Sequence, residues 1–246
     1  MPNLTNKAAL VTGGSRGIGA AIAKRLAAEG ASVAITYTKG SDAATSVVQA
    51  IERGGGKAIA IKADAADAEA VKNAVEKTVA TFGRLDVLVN NAGTIIPASV
   101  EETTLADFDR VFATNVRGMF VATKTALKHM KPGGRIIMIG SSLGERVFMP
   151  GVAPYSATKG AVKMFMQGLA RELGARGITV NNVQPGPIDT DLNPAAGDWA
   201  VPQKAGTALD RYGKVDEVAA LVAFVAGPES SYITGANLTV DGGMNA

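Results

Sequence analysis

The chain has 246 residues, of which 47% are hydrophobic and 29 are glycine, as expected of one α/β domain or two small ones. Its 25 basic and 22 acidic side chains leave a net charge of +3, which is too balanced to indicate a nucleic-acid partner or a membrane surface. The lack of cysteine excludes disulfides, thiolate nucleophiles and cysteine-bound zinc, and we expect no metal site.

The first residues and the hydropathy pattern bear on location. Residues 1–7 lack the apolar core of a signal peptide. No apolar run in the sequence is long enough to span a bilayer. We therefore expect a cytoplasmic protein.

Short apolar runs alternate with helical patterns from Lys7 onward. The predicted strands are Ala8–Val11, Ser32–Tyr37, Ala58–Ile61, Val87–Val89, Arg135–Ile139, Thr179–Val183 and Asn237–Val240. The predicted helices are Gly17–Glu29, Ser41–Arg53, Asp67–Phe82, Asp107–Met130, Tyr155–Leu173 and Asp216–Ala226. This alternation predicts an α/β fold with a single Rossmann-type, doubly wound, seven-stranded parallel sheet and helices on both faces.

One segment, Thr190–Arg211, is rich in Pro, Gly and Ala and has no clear period. No linker or repeat interrupts the series of elements, so we predict one catalytic domain over residues 1–246. An irregular segment inside a compact domain is typical of a substrate lid. We therefore predict a lid at about residues 190–211.

A glycine-rich loop follows the first strand and leads directly into a helix. Its spacing, Gly13-x-x-x-Gly17-x-Gly19, allows a tight turn, and the helix N-terminus offers free N–H groups to a pyrophosphate. A methyltransferase loop is the alternative, but it would bring an acidic residue just before the glycines, and Val11-Thr12 provide none. The predicted dinucleotide contacts here are Gly13, Ser15, Arg16, Gly17, Ile18 and Gly19.

The end of the second strand should discriminate between NAD and NADP. An Asp or Glu there would hold the ribose 2′-hydroxyl of NAD, but the chain has Tyr37-Thr38-Lys39. Arg16 and Lys39 can pair with a 2′-phosphate, and the Thr38 hydroxyl can donate to it. This favours NADP(H); the alternative is that both cations are only solvated.

Tyr155 and Lys159 stand four residues apart near the start of a helix, one turn apart on the same face. A nearby ammonium favours the phenolate, so it would bring the tyrosine pKa, ordinarily about 10, toward the range useful for general acid–base catalysis. Alternatively, the tyrosine packs on a core and the lysine is solvated.

With both motifs present, the chain resembles the short-chain dehydrogenases/reductases from Lys7 to Gly243. The motifs that carry the resemblance are Thr12-Gly13-x-x-x-Gly17-x-Gly19, Asp64, Asn90-Asn91-Ala92-Gly93, Asn115, Ser141-Ser142, Tyr155-x-x-x-Lys159 and Pro185-Gly186-x-x-x-Thr190. In this order and at strand ends they are highly specific.

The resemblance implies an NADPH-dependent oxidoreductase acting on a ketone or secondary alcohol. In it, Tyr155 is the general acid or base, Lys159 lowers its pKa and binds the nicotinamide ribose, and Asn115 holds a water of the proton relay. A serine donates to the carbonyl oxygen. We favour Ser141, which follows the fifth strand and Gly140, although many relatives have their serine 13 residues before the tyrosine, which would select Ser142.

The resemblance also implies the remaining cofactor contacts. Asp64 would contact adenine, and residues after the fourth and sixth strands would line the ribose and hold the carboxamide. These residues are Asn91, Ala92, Gly93, Pro185, Gly186, Ile188 and Thr190.

We expect the substrate pocket to be built from Ile95–Pro97, Gly144–Pro154 and the lid. Its apolar candidates are Phe148, Met149, Val152, Leu192 and Trp199, and its polar ones are Glu145, Arg146 and Asp198. We favour a free small-molecule carbonyl. The alternative is a 3-oxoacyl-[acyl-carrier-protein] substrate, whose acidic carrier would need a basic patch at the cleft, for which Lys128, Lys131 and Arg176 are the candidates, while His129 is expected to be solvated.

Two helices, Asp107–Met130 and Tyr155–Leu173, are apolar over more than one face. Members of the resembled family pair these helices across subunits, so we expect a homotetramer or at least a homodimer. A non-catalytic NADP(H)-binding regulator is the alternative of another class, and an epimerase or dehydratase would share the Tyr–Lys pair.

Overall fold

The computed structural model describes residues 3–197 and 199–246, so the predicted pocket residue Asp198 lies outside the described residues. Seven strands form one sheet in the order β3-β2-β1-β4-β5-β6-β7, and every pairing is parallel. The strands are β1 (Ala8–Val11), β2 (Ser32–Tyr37), β3 (Lys57–Lys62), β4 (Val87–Asn90), β5 (Arg135–Ile139), β6 (Thr179–Pro185) and β7 (Asn237–Val240). The predicted doubly wound parallel sheet is confirmed.

Strands β1, β4 and β5 are apolar apart from the end residues Asn90 and Arg135, because both faces of the sheet are covered. Leu10, Leu88 and Ile136 point to one face and share a core with α3, α5 and α6, whereas their neighbours Val11 and Val89 point to the other face, toward α1, α2 and α8. The helices are α1 (Gly17–Ala28), α2 (Ser41–Arg53), α3 (Ala68–Phe82), α4 (Leu105–Phe112), α5 (Gly118–Ala126), α6 (Ala153–Leu173), α7 (Ala200–Ala205) and α8 (Val215–Ala226). Among the described residues, no helix combines the length and apolarity that a membrane span requires.

The long helix predicted over Asp107–Met130 is confirmed in part, because the helical segment runs without a gap from Leu105 to Ala126 but contains one π-helical turn. Helix α4 ends at Phe112, a π-helical turn follows at Ala113–Arg117, and α5 ends at Ala126. The side chain of Asn115, inside the π turn, exchanges two hydrogen bonds with the backbone of Thr94, with the Thr94 N–H 2.8 Å and the carbonyl 2.9 Å away. These tertiary contacts accompany the wider turn, which apolar periodicity cannot reveal.

The topology places the functional segments at one edge of the sheet. From β1 the chain proceeds outward through β2 to β3, and from β4 it proceeds in the opposite direction to β7. The carboxyl ends of β1 and β4 therefore meet at the switch point of the sheet, where open α/β folds bind ligands. The glycine loop follows β1, and Asn91–Gly93 follow β4.

The lid predicted at residues 190–211 is locally ordered. It contains the short helix α7, and the amides of Asn193 and Gln203 exchange hydrogen bonds of 2.8 and 3.2 Å. Leu192 and Trp199 remain 59% and 50% exposed. The segment is thus tied down by polar contacts and presents apolar side chains outward.

At the opposite edge of the sheet, Asp86 joins the starts of β1 and β4. Its carboxylate accepts hydrogen bonds from the Ala8 N–H at 2.9 Å and from Arg84 Nε and Nη2 at 2.6 and 2.7 Å, and Lys7 Nζ lies 3.6 Å away. Burial opposes ionisation, but these donors outweigh it and lower the pKa of Asp86 below its usual range.

We expect Asp86→Asn to reduce the free energy of unfolding at pH 7 by about 1–3 kcal/mol, as for other hydrogen bonds to charged groups. Because the folded-state pKa is depressed, this stabilisation is present above the ordinary Asp pKa of about 4 and is lost as the pH falls through the folded-state pKa. Urea unfolding from pH 7 downward measures the difference. The exposed Glu52→Gln is the matched control, and a difference independent of pH would contradict this account.

Candidate active site

The glycine loop has the shape of an anion cradle. Gly13 and Gly17 have φ values of +64° and +52°, which favour glycine, and a Cβ on Gly19 would collide with the Gly13 carbonyl oxygen. Arg16 precedes α1 without a side-chain cap, and the first turn of α1 holds no acidic residue. The N–H groups at the start of α1 are therefore available to a phosphate, so these residues fit a dinucleotide.

Residues that directly follow β4 hold the glycine loop in place through hydrogen bonds. The amide of Asn91 donates to the carbonyls of Thr12 and Gly13, each at 2.9 Å, while Thr12 Oγ1 accepts from the N–H groups of Asn91 and Ala92, each at 3.0 Å. Asn91 thus shapes the loop with its side chain. Direct contacts of Asn91 and Ala92 with a cofactor stay predictions.

The end of β2 lies beside the loop, because the Gly13 N–H donates to Thr36 Oγ1 at 2.9 Å. Thr38 and Lys39 are exposed and Tyr37 is half-buried. The guanidinium of Arg16 is exposed and its Nη1 lies 3.9 Å from Asp191 Oδ2 of the lid. This corner carries the two cations expected for a 2′-phosphate.

Beside Asp64, the predicted adenine contact, lies a residue that the sequence does not reveal. Asp64, which follows β3, pairs with Arg110 of α4, with 3.1 Å between Arg110 Nη2 and Asp64 Oδ2. The two residues are 46 positions apart, and an Arg on an amphipathic helix face carries no local sign of such a contact. Only the tertiary packing of α4 identifies it.

Ser141, Tyr155 and Lys159 converge beyond the carboxyl end of β5. The Ser141 side chain lies beside that of Tyr155, where its hydroxyl favours the phenolate, and Ser141 Oγ accepts from the Leu143 N–H at 3.1 Å. Lys159 Nζ donates to the Ile139 carbonyl at 2.8 Å and lies 5.5 Å from the centre of the Tyr155 ring. Ser142 points elsewhere, with its Oγ 3.8 Å from Met244 Sδ.

Burial controls the ionisation of this pair. It lowers the pKa of Lys159 to about 8. It also raises the pKa of Tyr155, and the hydrogen bond with Ser141 opposes this only in part. The pKa of Tyr155 is therefore raised overall and not lowered, because desolvation of the phenolate dominates; the part of Lys159 in lowering it stays a prediction.

Asn115 is buried and already has protein partners. Besides Thr94, its amide donates to Thr158 Oγ1 at 3.0 Å, and Thr158 Oγ1 in turn donates to the Tyr155 carbonyl at 2.6 Å. The amide and the carbonyl oxygen of this side chain therefore both have protein partners, and the water that the resemblance implies for Asn115 stays a prediction. The place of Asn115 in a proton relay stays a prediction.

The predicted nicotinamide end lies next to these groups. A Cβ atom added to Gly93 would lie 3.5 Å from Asn115 Oδ1 and 3.8 Å from Lys159 Nζ. A Cβ atom added to Gly17 would lie 3.4 Å from Thr190 Cγ2. Pro185 ends β6 and Gly186 follows, with a Cβ position 2.7 Å from the Cα of Asp241. Ile188 is buried and pairs with Gly213.

The predicted substrate pocket is only partly as expected. Phe148 is 41% exposed, but Val152 is buried in the core. Glu145 is not free, because it forms an ion pair with Lys163 and accepts from Gln184 Nε2 at 3.2 Å. Leu192 and Trp199 face outward, as described for the lid.

The basic patch considered for a carrier protein lies at the wrong edge of the sheet. Lys128 and Lys131 precede β5 and Arg176 precedes β6, so all three lie at the amino ends of the strands, opposite the site. Arg176 also donates to the Leu127 carbonyl at 2.8 Å. His129, expected to be solvated, has its Nε2 3.0 Å from Glu76 Oε2.

Throughout residues 3–197 and 199–246, no three or more His, Cys, Asp or Glu side chains are grouped as a metal site would need.

We expect Lys159→Met to change how stability depends on pH. The folded-state pKa of Lys159, about 8, lies below its usual 10.5, so the unfolded chain binds the extra proton between these values and the folded state gains stability as the pH rises through them. Relative to the variant, the wild type should gain about 2 kcal/mol between pH 7 and 9.5.

Urea unfolding of both proteins at several pH values provides the measurement. The exposed Lys24→Met should follow the wild type throughout. Parallel pH profiles for wild type and Lys159→Met would show that the ammonium is not desolvated.

Comparison with known proteins reveals relatives over the whole chain. The family model described as enoyl-(acyl carrier protein) reductase matches residues 13–245. A short-chain dehydrogenase from Burkholderia cenocepacia, solved in complex with NADP, is 55% identical with a TM-score of 0.98, covering 99% of this chain and 100% of that one. The cyclic-di-GMP-binding biofilm dispersal mediator protein of Escherichia coli is 45% identical over 246 residues, 100% of both chains. The 3-oxoacyl-[acyl-carrier-protein] reductase of Synechocystis is 44% identical over 247 residues, 99% of each.

Proposed function

The chain belongs to the short-chain dehydrogenase/reductase family, and we propose that it is an NADPH-dependent reductase acting on a ketone, with the secondary alcohol as product. The observation that carries this proposal is the convergence of Ser141, Tyr155 and Lys159 beside the switch point of the sheet. A hydroxyl, a phenol and a buried ammonium at one point suit proton transfer to a carbonyl oxygen. The proposal retains the cytoplasmic location expected from the sequence.

NADP(H) is the cofactor we assign. The relative from Burkholderia cenocepacia was solved with NADP, and Arg16 and Lys39 supply two cations where NAD enzymes would have a carboxylate. When bound, the reduced nicotinamide supplies the hydride.

The chain's own residues handle the charge and the proton. A carbonyl oxygen placed between Ser141 and Tyr155 accepts a hydrogen bond from each hydroxyl, which stabilises negative charge as the carbonyl is reduced. The raised pKa of Tyr155 keeps its proton on the phenol until the alkoxide is there to receive it. Tyr155 is therefore the general acid of reduction and the general base of the reverse reaction.

Lys159 keeps a positive charge next to this proton transfer. Because its pKa is about 8, Lys159 is protonated in most molecules at neutral pH. The ammonium is anchored to the Ile139 carbonyl by one of its three donors, which leaves two for the nicotinamide ribose and the relay. The phenolate formed after proton transfer is thus stabilised by a fixed cation.

We propose a free, largely apolar carbonyl compound as substrate. The exposed apolar side chains of Phe148, Leu192 and Trp199 support this class. A carrier-bound substrate is the alternative, because the chain is similar to the 3-oxoacyl-[acyl-carrier-protein] reductase from Synechocystis. The location of Lys128, Lys131 and Arg176 at the far edge argues against it, because an acidic carrier would find none of these cations beside the cleft.

A second candidate is an NADP(H)-binding regulator without turnover. The specific observation in its favour is the full-length similarity to a cyclic-di-GMP-binding mediator protein. The intact Ser141–Tyr155–Lys159 arrangement favours the reductase, since a protein that only binds has no need of a buried general acid. Turnover distinguishes the two.

We further propose that the protein is a homotetramer or at least a homodimer. Phe120 of α5 and Met164 of α6 are 44% and 63% exposed, and Phe120 packs edge-on against Phe165 with 6.0 Å between ring centres. Apolar side chains on two adjacent helices form a continuous surface that a second copy would cover.

NADPH oxidation should be measured against a panel of ketones, β-keto esters, quinones and an acetoacetyl thioester. We expect turnover of some carbonyl compound, and a fall of at least about a hundredfold in kcat for Tyr155→Phe because the general acid is lost. The surface variant Tyr232→Phe, at a fully exposed position, is the control. Tight NADPH binding without turnover of any compound would favour the regulator.

The two serines provide a sharper comparison at adjacent positions. We expect Ser141→Ala to lower kcat by about 100- to 1,000-fold, as for removal of one oxyanion donor. Ser142→Ala should have a much smaller effect, because its hydroxyl points toward Met244. Equal mild effects in steady-state kinetics would refute the assignment of Ser141, and the reverse order would select Ser142.

A further inference from the structure

The loop Asp64–Asp67, which follows β3, is held on one side by the helical segment Arg110–Gly118. Arg110 Nη1 donates to Asp64 Oδ2 at 3.1 Å, and Nη2 donates to Oδ1 and Oδ2 at 3.2 and 3.1 Å. Arg117 Nη2 donates to the Ala66 carbonyl at 2.8 Å. At Gly118 a Cβ would collide with the Ala65 carbonyl oxygen, so glycine permits the helix to approach the loop.

The carboxylate of Asp64 is fixed in one orientation. Its Oδ1 also accepts from the Ala66 N–H at 2.9 Å. Burial opposes ionisation, but this hydrogen bond, Arg110 and the charge of Lys39 lower the pKa of Asp64 below its usual value. Asp64 is therefore an anion at neutral pH, and two hydrogen bonds accepted at each of its oxygens fix the direction of the carboxylate.

The pair is too exposed to serve stability. The side chains of Arg110 and Asp64 are 48% and 34% exposed, and ion pairs of this kind contribute little to the free energy of folding. A guanidinium that grips both carboxylate oxygens contributes geometry instead. Such rigidity is useful where the carboxylate must meet a ligand.

We infer that Arg110, with Arg117 supporting the same loop, is a positioning residue for the adenine half of the cofactor. The inference rests on the proposed NADPH-dependent function and on the expectation, drawn from the family resemblance, that Asp64 contacts adenine. Arg110 acts through Asp64 and does not reach the reacting atoms. It thus controls cofactor affinity and leaves proton transfer at Tyr155 unchanged.

The test uses adenosine 2′,5′-bisphosphate, which is the adenine half alone, and calorimetric measurement of its Kd. We expect Arg110→Met to raise this Kd about tenfold, which corresponds to 1.4 kcal/mol, and to raise the KM for NADPH similarly. The kcat at saturating NADPH should stay within about twofold of the wild type. Arg53→Met is the matched control, because Arg53 is exposed and, among the described residues, donates only to the Gln49 carbonyl one turn earlier.

A double-mutant cycle decides whether Arg110 acts through Asp64. In the background of Asp64→Asn, we expect Arg110→Met to cause no further loss of affinity. Additive losses, an unchanged Kd in Arg110→Met, or an equal fall in kcat would each overturn the inference. If the wild type binds neither NADPH nor the bisphosphate, the proposed function itself fails, whereas wild-type binding with an unaffected Arg110→Met refutes only the positioning role.

Discussion

The site depends on the hydrogen bonds that join the carboxyl ends of β1 and β4. Thr12 and Asn91 exchange donors and acceptors across the switch point, with every distance between 2.9 and 3.0 Å. They satisfy two loop carbonyls that would otherwise lie unpaired in a half-buried position. The same hydrogen bonds hold the loop beside the start of α1, whose first turn has no side-chain cap and no acidic residue, as suits a phosphate site.

The buried cluster of Ser141, Tyr155 and Lys159 lowers the stability of the folded protein. A shift of the Lys159 pKa from 10.5 to about 8 corresponds to about 3 kcal/mol of unfavourable charge burial at neutral pH. The surrounding parallel sheet, apolar on both faces, provides the stability that tolerates this cost. A buried ammonium that keeps donors free is more valuable to the proposed chemistry than a solvated one, because its field is weakly screened.

The fold could be predicted from the sequence because its signals are local. The bounds of β1, β2 and β5 were predicted correctly because each is a short apolar run bounded by turn residues. The π-helical turn at Ala113–Arg117 could not be predicted, since Thr94, which contacts Asn115 within it, belongs to a loop outside the helix. The basic patch was misplaced for another reason: Lys131 and Arg176 precede strands, and the amino ends of parallel strands lie opposite the carboxyl ends, where the site is. The pKa of Tyr155 was misjudged because a spacing of four residues specifies proximity to Lys159 and says nothing of desolvation.

The π turn explains both the contacts of Asn115 beside Tyr155 and the contacts of Arg117 and Gly118 with the loop after β3. In an uninterrupted α-helix, the residues after Phe112 would be rotated relative to their observed directions, because each π-helical turn holds an additional residue. With the turn in place, Asn115 faces Thr94 and Thr158 beside the catalytic helix, while Arg117 and Gly118 contact the loop after β3. One wide turn therefore orients side chains toward both ends of the proposed cofactor site. Without this turn, both the contacts with the loop after β3 and the contacts of Asn115 beside Tyr155 would be disturbed. The segment from α4 to α5 is therefore one structural unit that links these two regions.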